Sequence, residues 1–106
     1  MNGGTAASQR YQLPPGIGPY RKIGPFDAKS LPAGLLQEHR LKEEAWARLT
    51  MLAGQIRFVW DDSDSDGVAT VIAAGDTLNV PPLIPHHLEA GEGDFCLEIE
   101  FLKDSC

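Results

Sequence analysis

The fold of this chain is decided mainly by one stretch in its second half, Gly75-Asp76-Thr77-Leu78-Asn79-Val80-Pro81-Pro82-Leu83-Ile84-Pro85-His86. Polar and apolar residues alternate over 77–80, and a second short alternating run follows at 86–90. Alternation with a period of two is typical of β-strands, and prolines between such runs mark a turn. The stretch therefore predicts two short strands joined by a proline-rich turn.

The same pattern continues on both sides of this stretch. Short apolar segments, separated by turn residues, predict further strands at 34–41, 46–53, 55–61, 67–73 and 94–102. Segment 38–52 is rich in residues that favour helices, but no capping residue opens such a helix. We therefore predict an all-β fold, a sandwich or barrel, in a single domain.

The N-terminal segment differs in composition from the rest of the chain. Residues 1–20 are rich in Gly, Pro, Ser and Gln, and both Pro14-Pro15-Gly16 and Gly18-Pro19 disfavour a regular ladder or helix. We predict a flexible arm over 1–20 and a β-domain over 21–106.

Composition and charge exclude several classes of partner. The 106-residue chain has a net charge of -6, and its 9 Lys and Arg residues are scattered, which argues against nucleic acid. No apolar run approaches the roughly 20 residues that span a bilayer, and the N-terminus lacks the features of a signal peptide. We therefore expect a cytoplasmic protein without membrane contact. The small core and exposed strand edges of such a domain favour a homodimer.

Alternation also predicts which side chains face the interior of the domain. In the predicted 34–41 strand, one face carries Leu35, Gln37, His39 and Leu41. In the 86–90 strand, His86 and Leu88 share a face, and His87 and Glu89 lie opposite. The apolar neighbours on each face predict that His39 and His86 point inward and that His87 points outward.

Two inward histidines on different strands predict a metal site, because neutral imidazole is a common ligand of Zn, Fe, Ni and Cu. Gln37, on the same face as His39, and Glu44, at the following turn, are the candidates for the remaining ligands. The alternatives are two core histidines satisfied by hydrogen bonds, a solvated Glu44 carboxylate and a Gln37 amide bonded to a neighbouring strand.

The stretch from Gly75 to His86 resembles the second motif of the cupin superfamily, in which Gly, Pro and His recur with the same spacing. Leu83 stands where that family usually has Gly, and Ala90 where it usually has Asn. The first cupin motif is degenerate, with Gln37 and His39 at its two His positions and Glu44 at its Glu position. The resemblance implies a jelly-roll β-barrel, also called a double-stranded β-helix, that holds one divalent metal ion, Zn, Ni, Fe or Mn, in its mouth.

A closer resemblance extends over residues 31–102. It rests on the segments Leu31 to His39, Trp46 to Gly54, Pro85 to Glu89 and Glu98 to Leu102. They are similar to the small cupins related to the N-terminal domain of tellurite-resistance methyltransferases, the TehB/YeaR-like cupins. This resemblance implies a role linked to stress or to a tellurite-type oxyanion response. No Gly-rich cofactor loop follows a predicted strand, so it does not imply transferase activity, and no catalytic residue is identified.

Two other functions remain open at this point. The first is non-catalytic binding of a small-molecule or anionic ligand in a pocket lined by Trp46, Phe58 or Trp60. Lys42 and Arg48 lie near the expected mouth and would attract an anion, although ion pairs with neighbouring carboxylates are as good an explanation. The second is a structural partner domain with a vestigial site.

One acidic segment resembles a calcium site without completing it. Residues 62–67 have acids at positions 1, 3 and 5 and Gly at position 6, as in an EF-hand loop. Position 12 is Ala73 where such a loop needs Glu, and predicted strands flank the segment. We therefore predict an exposed hairpin loop here.

Overall fold

The protein is all β, as the sequence predicts. The computed structural model describes residues 11–61, 68–91 and 93–104. Its strands are β1 (Ile17–Phe26), β2 (Trp46–Ala53), β3 (Gln55–Trp60), β4 (Val68–Ala73), β5 (Thr77–Val80), β6 (His86–Glu89) and β7 (Cys96–Asp104). A 3₁₀ turn at Ala33–Leu36 precedes β2. None of the described residues form a helix with the length and apolar character of a membrane span.

The strands form two antiparallel sheets that pack face to face. The first sheet has the order β1-β7-β2-β5 and the second has the order β4-β3-β6. The core between them consists of Ala47, Leu49, Met51, Ile56, Phe58, Trp60, Ile72, Leu78, Val80, Leu88, Phe95, Leu97 and Ile99. No described strand of one sheet pairs with a strand of the other. The predicted barrel is therefore wrong in this respect, because the two sheets do not close on each other.

The pairings are nested around the pair formed by β3 and β4. β3 pairs with β4, β2 with β5 and β1 with β7. In this nested order, the isolated bridge between His39 and His86 of β6 comes after the β2–β5 pair and before the β1–β7 pair. β2 also pairs with β7, and β3 with β6, which joins these pairs into the two sheets.

The predicted strand at 34–41 is not formed. Pro32 opens the 3₁₀ turn at Ala33–Leu36, in which the Leu35 N–H donates to the Pro32 carbonyl. The chain becomes extended only at Gln37, and His39 is the position that bridges to β6. Alternation correctly predicted that His39 faces inward. It gives no information on the preference of the Pro32-Ala33-Gly34 sequence for a turn.

Strand β1 begins inside the segment predicted as a flexible arm. Ile17 pairs with Asp104, and Pro19 pairs with Leu102. Prolines are tolerated in β1 because it is an edge strand, where an N–H directed away from the sheet is not needed. The prolines and glycines here thus mark an edge strand with two register shifts, between Pro19 and Arg21 and between Ile23 and Phe26. Residues 1–10 of the predicted arm, and the predicted hairpin loop at 62–67, lie outside the described residues.

The segment before β1 also contacts the core. The Tyr11 ring lies 5.3 Å from the Trp60 ring in an edge-to-face arrangement. The Tyr11 carbonyl accepts a hydrogen bond from the Asn79 side chain of β5 at 3.1 Å. Residue 11 is therefore packed onto the domain at the outer edge of β5.

The homodimer predicted from the sequence could form by pairing of strands at one of the four outer edges of the sheets. Asp76 caps one end of the β4 edge, because its carboxylate accepts from the Ala73 N–H and its own N–H donates to the Ala73 carbonyl, both at 2.9 Å. The rest of β4 is apolar or uncharged, whereas β1 carries prolines and basic residues that discourage pairing. The homodimer stays a prediction, and β4 is an edge without charged residues to oppose it.

Candidate functional site

His39 and His86 lie together at one end of the space between the sheets. Each donates its backbone N–H to the other's carbonyl at 2.9 Å, and such a pair places both side chains on the same face. The ring centroids are 4.3 Å apart at an interplanar angle of 70°. The sequence-based prediction that both face inward, with His87 opposite, agrees with these positions.

The two rings line a cavity of about 140 Å³. His86 is 4% exposed, and Phe58 stacks on its ring at 5.2 Å. The described residues of the wall are Leu35, His39, Leu41, Ala47, Leu49, Phe58, Val80, His86, Leu88, Ile99 and Phe101. The wall is thus apolar except for the two imidazoles.

Hydrogen bonds set the tautomer of both histidines. Nδ1 of His39 lies 2.8 Å from the carbonyl oxygen of Gln37, and Nδ1 of His86 lies 2.8 Å from that of Ile84. A carbonyl oxygen only accepts, so Nδ1 carries the proton in both rings. In the neutral imidazole, Nε2 therefore carries the lone pair.

The buried ring of His86 is neutral at neutral pH. Burial lowers the pKa of His86 to about 4, and this effect outweighs the opposing hydrogen bond to the Ile84 carbonyl. Within the described ranges of the chain, no protein group hydrogen-bonds to Nε2 of His86 or of His39. A buried acceptor without a partner costs about 1–3 kcal/mol. The cavity therefore contains an acceptor that a ligand, a metal ion or a water molecule can satisfy.

The other predicted metal ligands are not brought to this cavity. Gln37 is exposed, and the part of it that reaches a histidine is its backbone carbonyl. Glu44 has a positive φ of 70° and is exposed, and it lines a separate groove with Lys42 and Lys103. Among the described residues, no group of three or more His, Cys, Asp or Glu side chains is placed to hold a metal. The structure thus assembles two of the four predicted ligands, His39 and His86.

The three aromatic residues predicted to line a pocket have different positions. Phe58 does line the cavity. Trp60 lies in the core beside it, with ring centroids 4.7 Å apart. Trp46 lies on the outer face of β2, because Ala47, Leu49 and Met51 take the buried positions. Leu35, Leu41 and Leu88, which share a predicted inward face with one of the two histidines, also line the cavity. Strand alternation places Val80 and Ile99 there as well.

His87 belongs to a charged cluster on the outer face of the second sheet. Its Nδ1 lies 2.6 Å from the Asp61 carboxylate, and its Nε2 lies 3.1 Å from that of Glu89. Arg57 pairs with the other Glu89 oxygen at 3.2 Å. The hydrogen bond to Asp61 raises the pKa of His87, and Glu89 adds to this effect. The Asp61 contact was not anticipated, because it depends on the register between β3 and β6.

Comparisons with known proteins agree with this architecture. A family model described as TehB-like domain matches residues 21–99. The solved structure of TehB from Haemophilus influenzae is similar to this chain with a TM-score of 0.77 and 21% sequence identity over 85% of the chain. The chain spans 32% of that TehB chain, about a third of its length.

A second solved structure is similar over nearly its whole length. It is a protein from E. coli (strain K12), with a TM-score of 0.76 and 24% identity, covering 87% of this chain and 95% of that one. At these identities the two structures show a shared fold. A comparison with curated protein sequences finds no significant match.

Proposed function

The chain belongs to the TehB-like domain family, and from this premise we propose that it is a small jelly-roll domain of the cupin type that binds a ligand in the His39–His86 cavity. The observation that carries the binding proposal is the buried Nε2 of His86, which opens on an apolar cavity and has no hydrogen-bond partner among the described residues. Beside the two imidazoles, the described wall offers no Ser, Thr, Cys, Lys or carboxylate side chain to act as a partner in catalysis, so binding is proposed and catalysis is not.

The nested strand pairings support the jelly-roll assignment. Taken outward from the β3–β4 pair, they describe one long antiparallel hairpin that has rolled on itself. A jelly roll consists of eight strands arranged in this way. The position of the eighth strand is held here by the segment around His39, which keeps only its bridge to His86. The shortened strand leaves the mouth of the cavity beside the two histidines.

A small, mainly apolar molecule is the ligand that the cavity suits best. Nine of the described wall residues are apolar, and burial of apolar surface is the main source of affinity in such sites. An oxyanion is poorly matched, because Nε2 of the neutral His86 is an acceptor and Arg48 is paired with Glu100 at 2.6 Å outside the cavity. A link to tellurite-type oxyanions, which the resemblance implies, would therefore not depend on the oxyanion binding here.

A divalent metal ion is the second candidate, and one specific observation favours it. Metal-ligating histidines commonly donate their other ring N–H to a backbone carbonyl, as His39 and His86 both do. The pair meets part of the requirement of a metal site, since protein sites for zinc usually supply three or four ligands. His39 and His86 would hold the ion, water or an added molecule would complete its shell, and the ion would supply Lewis acidity.

Cavity filling tests the first candidate. Ala47→Leu extends a side chain of the wall into the cavity and is expected to weaken benzene binding at least about tenfold, because the ring then lacks space. Ala53→Leu, the same substitution at an exposed position of β2, should leave binding unchanged. Benzene titrations followed by NMR shifts of Leu88 and Ile99 measure both. Equal binding by the two variants would place benzene elsewhere and refute the proposed site.

Metal dialysis tests the second candidate. His39→Ala combined with His86→Ala is expected to abolish binding of Zn²⁺ or Ni²⁺ without unfolding the domain, because its core is apolar and does not depend on a metal. His87→Ala, which removes the histidine on the outer face, serves as the matched control. Equilibrium dialysis with elemental analysis gives the stoichiometry. Metal retained by the double variant, or lost equally in the control, would rule out the His39–His86 pair as the metal site.

A further inference from the structure

We infer that the ligand of the His39–His86 cavity is a neutral molecule the size of a single aromatic ring that donates an O–H or N–H hydrogen bond to Nε2 of His86. This inference rests on the proposed function and narrows it to a class of ligand. Phenol is the simplest member of the class, and toluene has the same shape without the donor. The argument uses the size of the cavity, its wall and the orientation of the two imidazoles.

Size limits the ligand first. The cavity measures about 140 Å³, and an apolar protein cavity of about 150 Å³ takes up one benzene molecule. Pockets for drug-sized ligands are larger, about 300–1,000 Å³. A single ring therefore fits, whereas a nucleotide or a fused polycyclic molecule would extend out of the cavity.

Charge limits the ligand next. An anion would face the Nε2 lone pair of His86 and no described Lys or Arg side chain in the wall. A cation would face the apolar side chains without a carboxylate to pair with. Burial of an unpaired charge is far more costly than burial of a neutral polar group. The ligand is therefore neutral in its bound form.

The direction of the hydrogen bond follows from the fixed tautomers. Both Nδ1 protons are used by backbone carbonyls, so the ring atom of His86 that remains for a ligand is an acceptor. His86 is 4% exposed, while His39 is half-buried nearer the mouth, so the unpaired Nε2 of His86 is the costlier of the two. A ligand without a donor displaces any water from this nitrogen and leaves it unsatisfied. A ligand with a donor forms a hydrogen bond to the nitrogen and so avoids that penalty.

The experiment compares phenol with toluene in the wild type and in His86→Phe, which keeps a ring against Phe58 and removes the acceptor. The ratio of the toluene Kd to the phenol Kd cancels the general effect of the substitution on the cavity. This ratio is expected to fall about ten- to hundredfold in His86→Phe, the value of one buried hydrogen bond and its unsatisfied partner. His87→Gln, on the outer face, should leave the ratio as in the wild type.

A second measurement does not depend on the variant folding. In the wild type, the ¹⁵N resonance of His86 Nε2 should shift upfield with phenol and stay in place with toluene. An unchanged Kd ratio, or equal ¹⁵N responses, would overturn the donor class while leaving the cavity as a binding site. Failure of both compounds to bind up to their solubility would overturn the proposed function, and this inference with it.

Discussion

Gly54→Ala is expected to lower the free energy of unfolding by about 3–5 kcal/mol, the range of the most damaging single substitutions. Gly54 joins β2 to β3 with a φ of 69°, a conformation that costs an L-residue about 1–2 kcal/mol. A Cβ there would also collide with the backbone oxygen of Asp94 and lie 2.9 Å from the Cα of Phe95. These are backbone atoms next to β7 and cannot rotate away.

Gly75→Ala separates the two causes of this loss. Gly75 has a φ of 94°, but a Cβ at that position meets no atom within 4 Å. Its substitution should therefore cost only the conformational part, about 1–2 kcal/mol. Urea unfolding of both variants provides the comparison. A Gly54→Ala loss no larger than that of Gly75→Ala would mean that the close approach of the Phe95 backbone does not require glycine.

Acidification from about pH 7 to about pH 4 is expected to remove about 3 kcal/mol of stability through His86 alone. The pKa of His86 is lowered to about 4 in the folded protein from 6.5. Below pH 6.5 the unfolded chain therefore binds a proton at this residue that the folded chain does not. The contribution of His86 to stability is fully present above about pH 6.5 and is lost as the pH drops toward 4.

His86→Phe should remove this component of the pH dependence. The variant is expected to lose less stability than the wild type over the same interval, by about the same 3 kcal/mol. His87 cannot supply the effect, because its pKa is raised and its contribution is lost as the pH rises. Urea unfolding at both pH values, with a histidine NMR titration, measures the difference. Parallel losses in the wild type and the variant would show that His86 is not the group responsible.

Local alternation was sufficient to predict most strands and the facing of both cavity histidines. Successive side chains of a strand point to opposite faces, so an alternating sequence indicates both the strand and the face of each residue. Strands β2 to β7 and the inward direction of His86 therefore follow from the sequence. Glu44 is different, because its side-chain direction depends on a positive φ of 70° that no local pattern demands of Glu. The position of Glu44 away from the expected metal ligands could therefore not be predicted.

Leu83 shows a departure that the sequence did signal. It stands where the cupin motif usually has glycine, and its φ is 68°. Glycine adopts this conformation without strain, whereas Leu83 adopts it as an exposed side chain at 50% exposure. Leucine at this position therefore adds to the conformational cost of the turn. Strand β1, in contrast, was missed because prolines are excluded from central strands but are tolerated in an edge strand.

The pairing of Ile17 with Asp104 gives the domain a further property. The chain enters its first strand and leaves its last strand at the same place. All described residues that line the cavity lie between Leu35 and Phe101, inside these two points. A unit with adjacent entry and exit can be joined to another protein, or inserted into one of its loops, through short linkers that do not cross the unit. A segment of protein attached at these ends of β1 and β7 would therefore not have to cross the cavity.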